Sequence, residues 1–216
     1  MKVGVLGSGD VGQVIATGFA NLGYEVKIGT RTAGNEKANA WLEKTKGKKT
    51  SVGTFEETAK FGDVIVVAVL GEAVEEAVKL AGISNFDSKT VIDVTNPLDF
   101  SVGVPPRHLY GFSISGGEKI QAAIPKANVV KTLNTVGHLG MINPKFKQGE
   151  PDMLLCGNNE AAKKQVEQIL RDFGWKNITD LGGIEQSRIT EAFCILWVAY
   201  GAKNKIWTHA LKMLKE

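Results

Sequence analysis

A chain of 216 residues with 43% apolar and 23% charged side chains can bury one substantial core and has an ordinary globular composition. Lysines and arginines number 26 against 23 acids, a formal charge of +3. So small an excess, spread along the chain, does not suggest a nucleic-acid binder and leaves scope for a modest basic pocket.

The N-terminal apolar run is too short for a signal peptide. The apolar stretch 192–202 is about half of a membrane span, so no membrane attachment is expected. The two cysteines, Cys156 and Cys194, are far apart and form no CxxC. A disulfide framework is therefore not expected, and the expected compartment is a reducing cytoplasm.

Strand and helix patterns alternate from the start. Residues 2–6 (KVGVL) predict a short strand that stops at glycine, and 10–22 a helix with Val11, Val14, Ile15, Phe19 and Leu22 at helical spacing. Residues 25–29 predict a second strand and 35–45 a helix with Ala38 and Leu42 inward. Then come helix 55–61, strand 63–69, helix 72–81 and strand 89–94. A long loop, 95–112, carries Pro97, Pro105 and Pro106. Beyond it the pattern predicts helix 117–123, strands 128–132 and 152–156, helix 159–173 and strand 176–180. Residues 184–215 read as one C-terminal helix that could bend at Gly201.

Continuous apolar strands between helices indicate a mainly parallel sheet covered on both faces. The fold class is therefore α/β, a Rossmann-type doubly wound sheet with a C-terminal helical extension. The composition breaks nowhere, so 1–216 is expected to form one domain, with 184–215 as its C-terminal helix.

Gly7-Ser8-Gly9-Asp10-Val11-Gly12 follows the first strand and opens the first helix, the context that gives GxGxxG a mechanism. Gly7 allows the turn, Gly9 lets a diphosphate approach the backbone, and Gly12 lets helix and strand pack closely. The helix N-terminus offers free N–H groups and the positive dipole end to the phosphates. The second strand should then decide the cofactor. An NAD enzyme commonly places an acid at its end for the ribose 2′-hydroxyl. Glu25 comes too early for that role, and the strand instead ends in Thr30, Arg31 and Thr32, with Lys37 close behind. A guanidinium and hydroxyls there favour a 2′-phosphate, hence NADP(H).

The opening VGVLGSGDVGQVIATGFANLGYEVKIGTR is followed in order by VIDVTNP (91–97), VVKTLNT (129–135), LLCGN (154–158) and DLGGIEQSRITE (180–191). This series resembles the NADPH-dependent coenzyme F420 reductases, and equally the cytosolic oxidoreductase domain of the six-transmembrane (STEAP) metalloreductases. The resemblance implies NADPH lying across the carboxyl ends of the strands. It puts Thr30, Arg31 and Lys37 at the 2′-phosphate, Ala68, Val69 and Leu70 beside the ribose and diphosphate, and Asn96, Pro97, Asn134 and Thr135 at the nicotinamide. Many deazaflavin reductases carry His-Thr and then a proline where this chain has Asn134-Thr135-Val136-Gly137; the metalloreductase domain has asparagine first, as here.

Hydride transfer between flat heterocycles needs positioning and water exclusion more than proton relays. The sequence shows no triad, and His108, His138 and His209 lack metal-ligand spacing, so no metal is expected. Asn134 and His138 are the catalytic candidates, His138 as a contact or proton donor to the acceptor. Phe193, Trp197, Tyr200 and Trp207 could be core, line the acceptor or form a homodimer interface. Pro105, Pro106, Arg107 and Tyr110 are candidates for a lid.

The expected reaction passes hydride between NADP(H) and a small-molecule acceptor, coenzyme F420 or a flavin (FMN or FAD). The alternatives are a flavin or ferric reductase of the metalloreductase type and a non-enzymatic NADPH-binding redox sensor.

Overall fold

The computed structural model describes residues 1–214. It begins with strand β1 (Lys2–Leu6), helix α1 (Asp10–Asn21), β2 (Glu25–Thr30), α2 (Glu36–Lys44), β3 (Thr50–Thr54), α3 (Phe55–Phe61) and β4 (Val64–Val67). There follow α4 (Val74–Ala81), β5 (Thr90–Asp93), the short strands β6 (Leu98–Asp99) and β7 (Arg107–His108), α5 (Gly116–Ala123) and β8 (Asn128–Thr132). The last elements are β9 (Asp152–Gly157), α6 (Glu160–Asp172), β10 (Asn177–Asp180) and α7 (Ser187–Asn204).

The main sheet has eight strands in the order β10-β9-β8-β5-β4-β1-β2-β3. From β3 to β8 every pairing is parallel, β9 runs antiparallel to β8, and β10 is parallel to β9. The pleat sends alternate residues into two cores. Val3, Val5, Val64, Val66, Ile92 and Val130 join Ile15, Phe19, Trp41 and Val166 on the face of α1, α2 and α6. Leu6, Ile65, Val67, Val91 and Val129 join Phe55, Val74, Val78 and Ile120 on the face of α3, α4 and α5. Burial on both faces is why these strands are apolar throughout, and it makes the fold a doubly wound, Rossmann-type sheet.

Three features depart from the sequence reading. Strand β3 (TSVGT) lies at the sheet edge and is half-buried, so it carries no apolar run to announce it. The loop 95–112 contains the antiparallel ribbon β6–β7, in which Leu98 pairs with His108 and Asp99 with Arg107.

The C-terminal helix is the largest correction. Helix α7 ends at Asn204, where Lys205 takes a left-handed φ of 55°, and 205–214 is not helical; residue 215 lies outside the described residues. The segment turns back instead, so that Asp152 N–H donates to the Leu211 carbonyl (3.0 Å) and Met213 N–H to Asp152 Oδ2 (2.7 Å). Helix α7 runs through Gly201, which leaves the niche filled by the Trp207 ring, 2.9 Å from where a Cβ would be. Pairing with the start of β9 outweighs the helical spacing of the apolar residues. Among the described residues, no helix is long and apolar enough to cross a membrane.

Candidate nucleotide and hydride-transfer site

The crests of the parallel strands carry a row of loops in mutual contact. After β1, Gly7 has φ 122°, a conformation that disfavours any side chain, and a Cβ there would collide with the Ala68 carbonyl beyond β4. A Cβ at Gly12 would collide with the Gly7 carbonyl. A Cβ at Gly9, by contrast, would meet nothing within 4 Å. Two of the motif's glycines are therefore demanded by packing, whereas the exposed third leaves free space over the N-terminus of α1. Gly9 caps that helix with no side-chain hydrogen bond, and Asp10 stands in its first turn. This is the cradle a diphosphate requires, and the residues present fit one.

On the β2 side, Ser8 Oγ donates to Asn35 Oδ1 (3.1 Å), which also caps α2 by accepting from the Ala38 N–H (3.0 Å). Asn35 thus ties the glycine loop to the α2 terminus. The sequence pattern begins the helix at Asn35, whereas the structure makes that residue its cap. Thr30 is buried, and its hydroxyl donates to the Thr32 carbonyl (2.7 Å), so the donor expected for a phosphate is already engaged. Arg31, Thr32 and Lys37 are exposed at the mouth. The Arg31 guanidinium lies 3.5 Å from Glu76 of α4, with side chains 62% and 57% exposed, so it is held by one weak surface pair. A cavity of about 180 Å³ opens beside them, lined by Thr30, Gly34, Asn35, Ala38 and Glu57 among others.

On the other side of β1, Ala68 is buried, Val69 half-buried and Leu70 exposed. A Cβ at Gly71 would collide with the Asn96 carbonyl, which shows how closely this turn meets Asn96-Pro97. Asn96 Nδ2 donates to the Asn134 carbonyl (2.9 Å), and Asn134 Nδ2 donates to Asn96 Oδ1 (3.0 Å). The structure therefore links the predicted residues into one row across the crests of β2, β1, β4, β5 and β8. Thr135 is buried just beyond. His138 is half-buried in a 3-10 turn, and no hydrogen bond of its ring joins it to the row among the described residues.

Beneath Asn96 and Asn134 lies a buried ionic cluster that the sequence reading missed. Asp93 and Lys131 are register partners, and Lys131 Nζ reaches Asp93 Oδ2 (2.9 Å), the Thr95 carbonyl (2.6 Å) and Glu191 Oε1 of α7 (2.8 Å). Glu191 also accepts from His108 (2.9 Å) and from the N–H groups of Gly116 (3.0 Å) and Gly117 (3.1 Å) at the α5 N-terminus. His108 Nδ1 accepts from the Tyr110 N–H (3.1 Å), so Nε2 carries the proton that Glu191 receives. Burial pushes the Glu191 carboxyl up, but Lys131 and the hydrogen bonds outweigh it and hold it down at about 2. Lys131 is itself raised, because Asp93 and Glu191 outweigh its burial. The available signal was a charged residue inside each of two apolar strands, VIDV and VVKT.

Cys156 and Cys194 are buried and pushed up to about 12 by burial, which keeps both thiols protonated and unreactive. Trp197 and Trp207 pack together (5.7 Å between centroids), but Trp207 lies in the returning segment rather than on the helix. In the 95–112 loop, Arg107 pairs with Asp99 (2.7 Å) and Lys119 lies over the Tyr110 ring (4.5 Å).

Comparison with known proteins identifies the family. Residues 2–97 match the family model described as NADP oxidoreductase, coenzyme F420-dependent. A solved structure from Arthrobacter sp. FB24, assigned to the F420-dependent NADP-reductases, is 33% identical over the full length of both chains with a TM-score of 0.93.

The chain belongs to this family.

As a member of the F420-dependent NADP oxidoreductases it is an NADP-dependent oxidoreductase. It is also 29% identical to the F420-dependent NADP reductase of Methanocaldococcus jannaschii, over 95% of this chain and 94% of that one. Metalloreductase STEAP3 of Rattus norvegicus is 29% identical over 88% of this chain, which spans 36% of that protein's length.

Proposed function

We propose that this chain binds NADP(H) across the crests of β2, β1, β4, β5 and β8 and exchanges hydride between it and coenzyme F420. The observation that carries the reading is the open cradle at Gly9 together with Arg31, in place of a carboxylate, at the end of β2. Gly7–Gly12 would hold the diphosphate, with Arg31, Thr32 and Lys37 taking the 2′-phosphate. Thr30 would shape that corner through its bond to Thr32 rather than donate. Ala68–Leu70 would flank the ribose, and Asn96, Pro97, Asn134 and Thr135 the nicotinamide. When bound, NADP(H) supplies the transferable hydride at ring carbon C4. The protein's part is to hold that carbon against the acceptor and keep water away.

F420 as the acceptor is supported by the named reductases at near-full coverage. Flavin or ferric reduction of the metalloreductase type is the second reading, favoured by Asn134 and by the likeness to STEAP3. The one-domain reading of 1–216 is supported by the continuous eight-stranded sheet. A homodimer is supported by the exposed apolar Ile189, Leu196 and Tyr200 of α7 and the nearby Trp207. A reducing, cytoplasmic setting is supported by the two buried free thiols.

Rapid mixing of protein and NADPH with F420, FMN, FAD or a ferric chelate tests the acceptor. NADPH oxidation should be fastest with F420. Acceleration by flavin or ferric chelate alone would favour the second reading, and none with any acceptor would leave a nucleotide sensor.

A further inference from the structure

Leu133, directly after β8, has φ 59°, a conformation that a bulky residue adopts only when its surroundings impose it. The turn brings Asn134, 3% exposed, against Asn96. The two reciprocal bonds fix both amides. Asn96 spends its Nδ2 on the Asn134 carbonyl, so its Oδ1 faces Asn134, which must answer with Nδ2. Flipping either amide would set like groups face to face. Asn134 Oδ1 is consequently left buried with no hydrogen-bond partner, one of two such side-chain atoms among the described residues. A buried acceptor without a donor is costly, and a strained backbone presenting one marks a place where a donor arrives.

The fold limits what that donor can be, given the NADP(H) reading above on which this inference rests. The diphosphate cradle is at β1, and β8 stands three strands away, about 14 Å at ordinary strand spacing. The ribose adjoining the diphosphate falls at β4. Beyond it, the N–H donors of the nicotinamide half are those of the ring carboxamide. We infer that Asn134 is a positioning residue whose Oδ1 accepts an N–H of the nicotinamide carboxamide, with Asn96 holding the amide in the orientation that presents it. Oδ1 is shielded from solvent, so a hydrogen bond made there meets no competition from water. One hydrogen bond at this point fixes the rotation of the ring, and with it the face on which C4 meets the acceptor.

The test compares NADP+ with its 3-acetylpyridine analogue, in which an acetyl group without N–H replaces the carboxamide. Dissociation constants for both are measured calorimetrically on the wild-type protein, Asn134→Ala and the near-isosteric Asn134→Leu. Thermal unfolding reports whether each variant is folded. Wild type should prefer NADP+ by about tenfold, the worth of one buried hydrogen bond, and the folded variants should lose that preference. A wild-type ratio near one, or an equal preference in wild type and variants, overturns the inference while leaving the NADP(H) reading intact. If wild type binds neither dinucleotide, that reading itself falls. A purely structural role for Asn134 would weaken both ligands together and leave their ratio unchanged.

Discussion

Single atoms separate what the glycine loop does for the fold from what it does for a ligand. At Gly12 a Cβ has nowhere to go, so Gly12→Ala should cost about 1–3 kcal/mol in unfolding free energy, measurable by denaturant titration. At Gly9 a Cβ is free, so Gly9→Val should leave the unfolding midpoint within a few degrees of wild type yet abolish dinucleotide binding. Unchanged NADPH affinity in the folded variant would make the loop merely structural. In the proposed site Arg31 would carry the choice of cofactor. Arg31→Ala should weaken NADPH by about 1.5–3 kcal/mol, roughly ten- to a hundredfold in Kd, and leave NADH nearly unaffected. Its neighbour Glu76 competes with a 2′-phosphate for the same guanidinium. Glu76→Gln should therefore tighten NADPH a few-fold at low salt, and tightening of NADH by the same factor would contradict the assignment.

Elements are held in register at the crests by the Glu191 cluster, whose carboxylate joins β7, β8, α5 and α7 and, through Lys131, Asp93 of β5. Its held-down carboxyl fixes the sign of a pH effect. In the unfolded chain the group titrates near its ordinary 4.5, and in the folded protein at about 2. The stabilisation is therefore complete above pH 4.5 and is lost as pH falls towards 2, a contribution of roughly 3 kcal/mol at neutral pH. Glu191→Gln should be less stable than wild type at pH 7 and lose less on acidification. Melting curves recorded from pH 7 down to 3 would show this as converging midpoints, and parallel pH dependences would assign the acid response to other groups. Because Glu191 reaches Lys131, whose ammonium holds the Thr95 carbonyl beside Asn96, the variant should also lower hydride transfer.

For the whole molecule, α7 presents an apolar face beyond the side that packs on α5 and β7. Thr190, Glu191, Cys194 and Val198 face inward, whereas Ile189, Leu196 and Tyr200 are about half exposed. A contiguous exposed apolar face on a helix is normally covered by a partner. Leu196→Glu should convert the proposed dimer to a monomer in light scattering while preserving the melting curve. A wild-type monomer at micromolar concentration would remove the proposal.

The sequence by itself determined the alternation of elements, the glycine loop and the basic end of β2, because each is written in local periodicity and turn chemistry. Most predicted elements match to within a residue or two, from 128–132 for β8 to 10–22 for α1. The tertiary structure alone decided the rest. Edge strand β3 exists because β2 offers it hydrogen bonds, and α7 stops at Asn204 because the following segment finds a partner in β9. Lys131, Asp93 and Glu191 become one cluster only once strands far apart in sequence lie side by side. Charge and hydrogen-bond satisfaction in the interior depend on which distant groups meet, and local pattern carries no record of that.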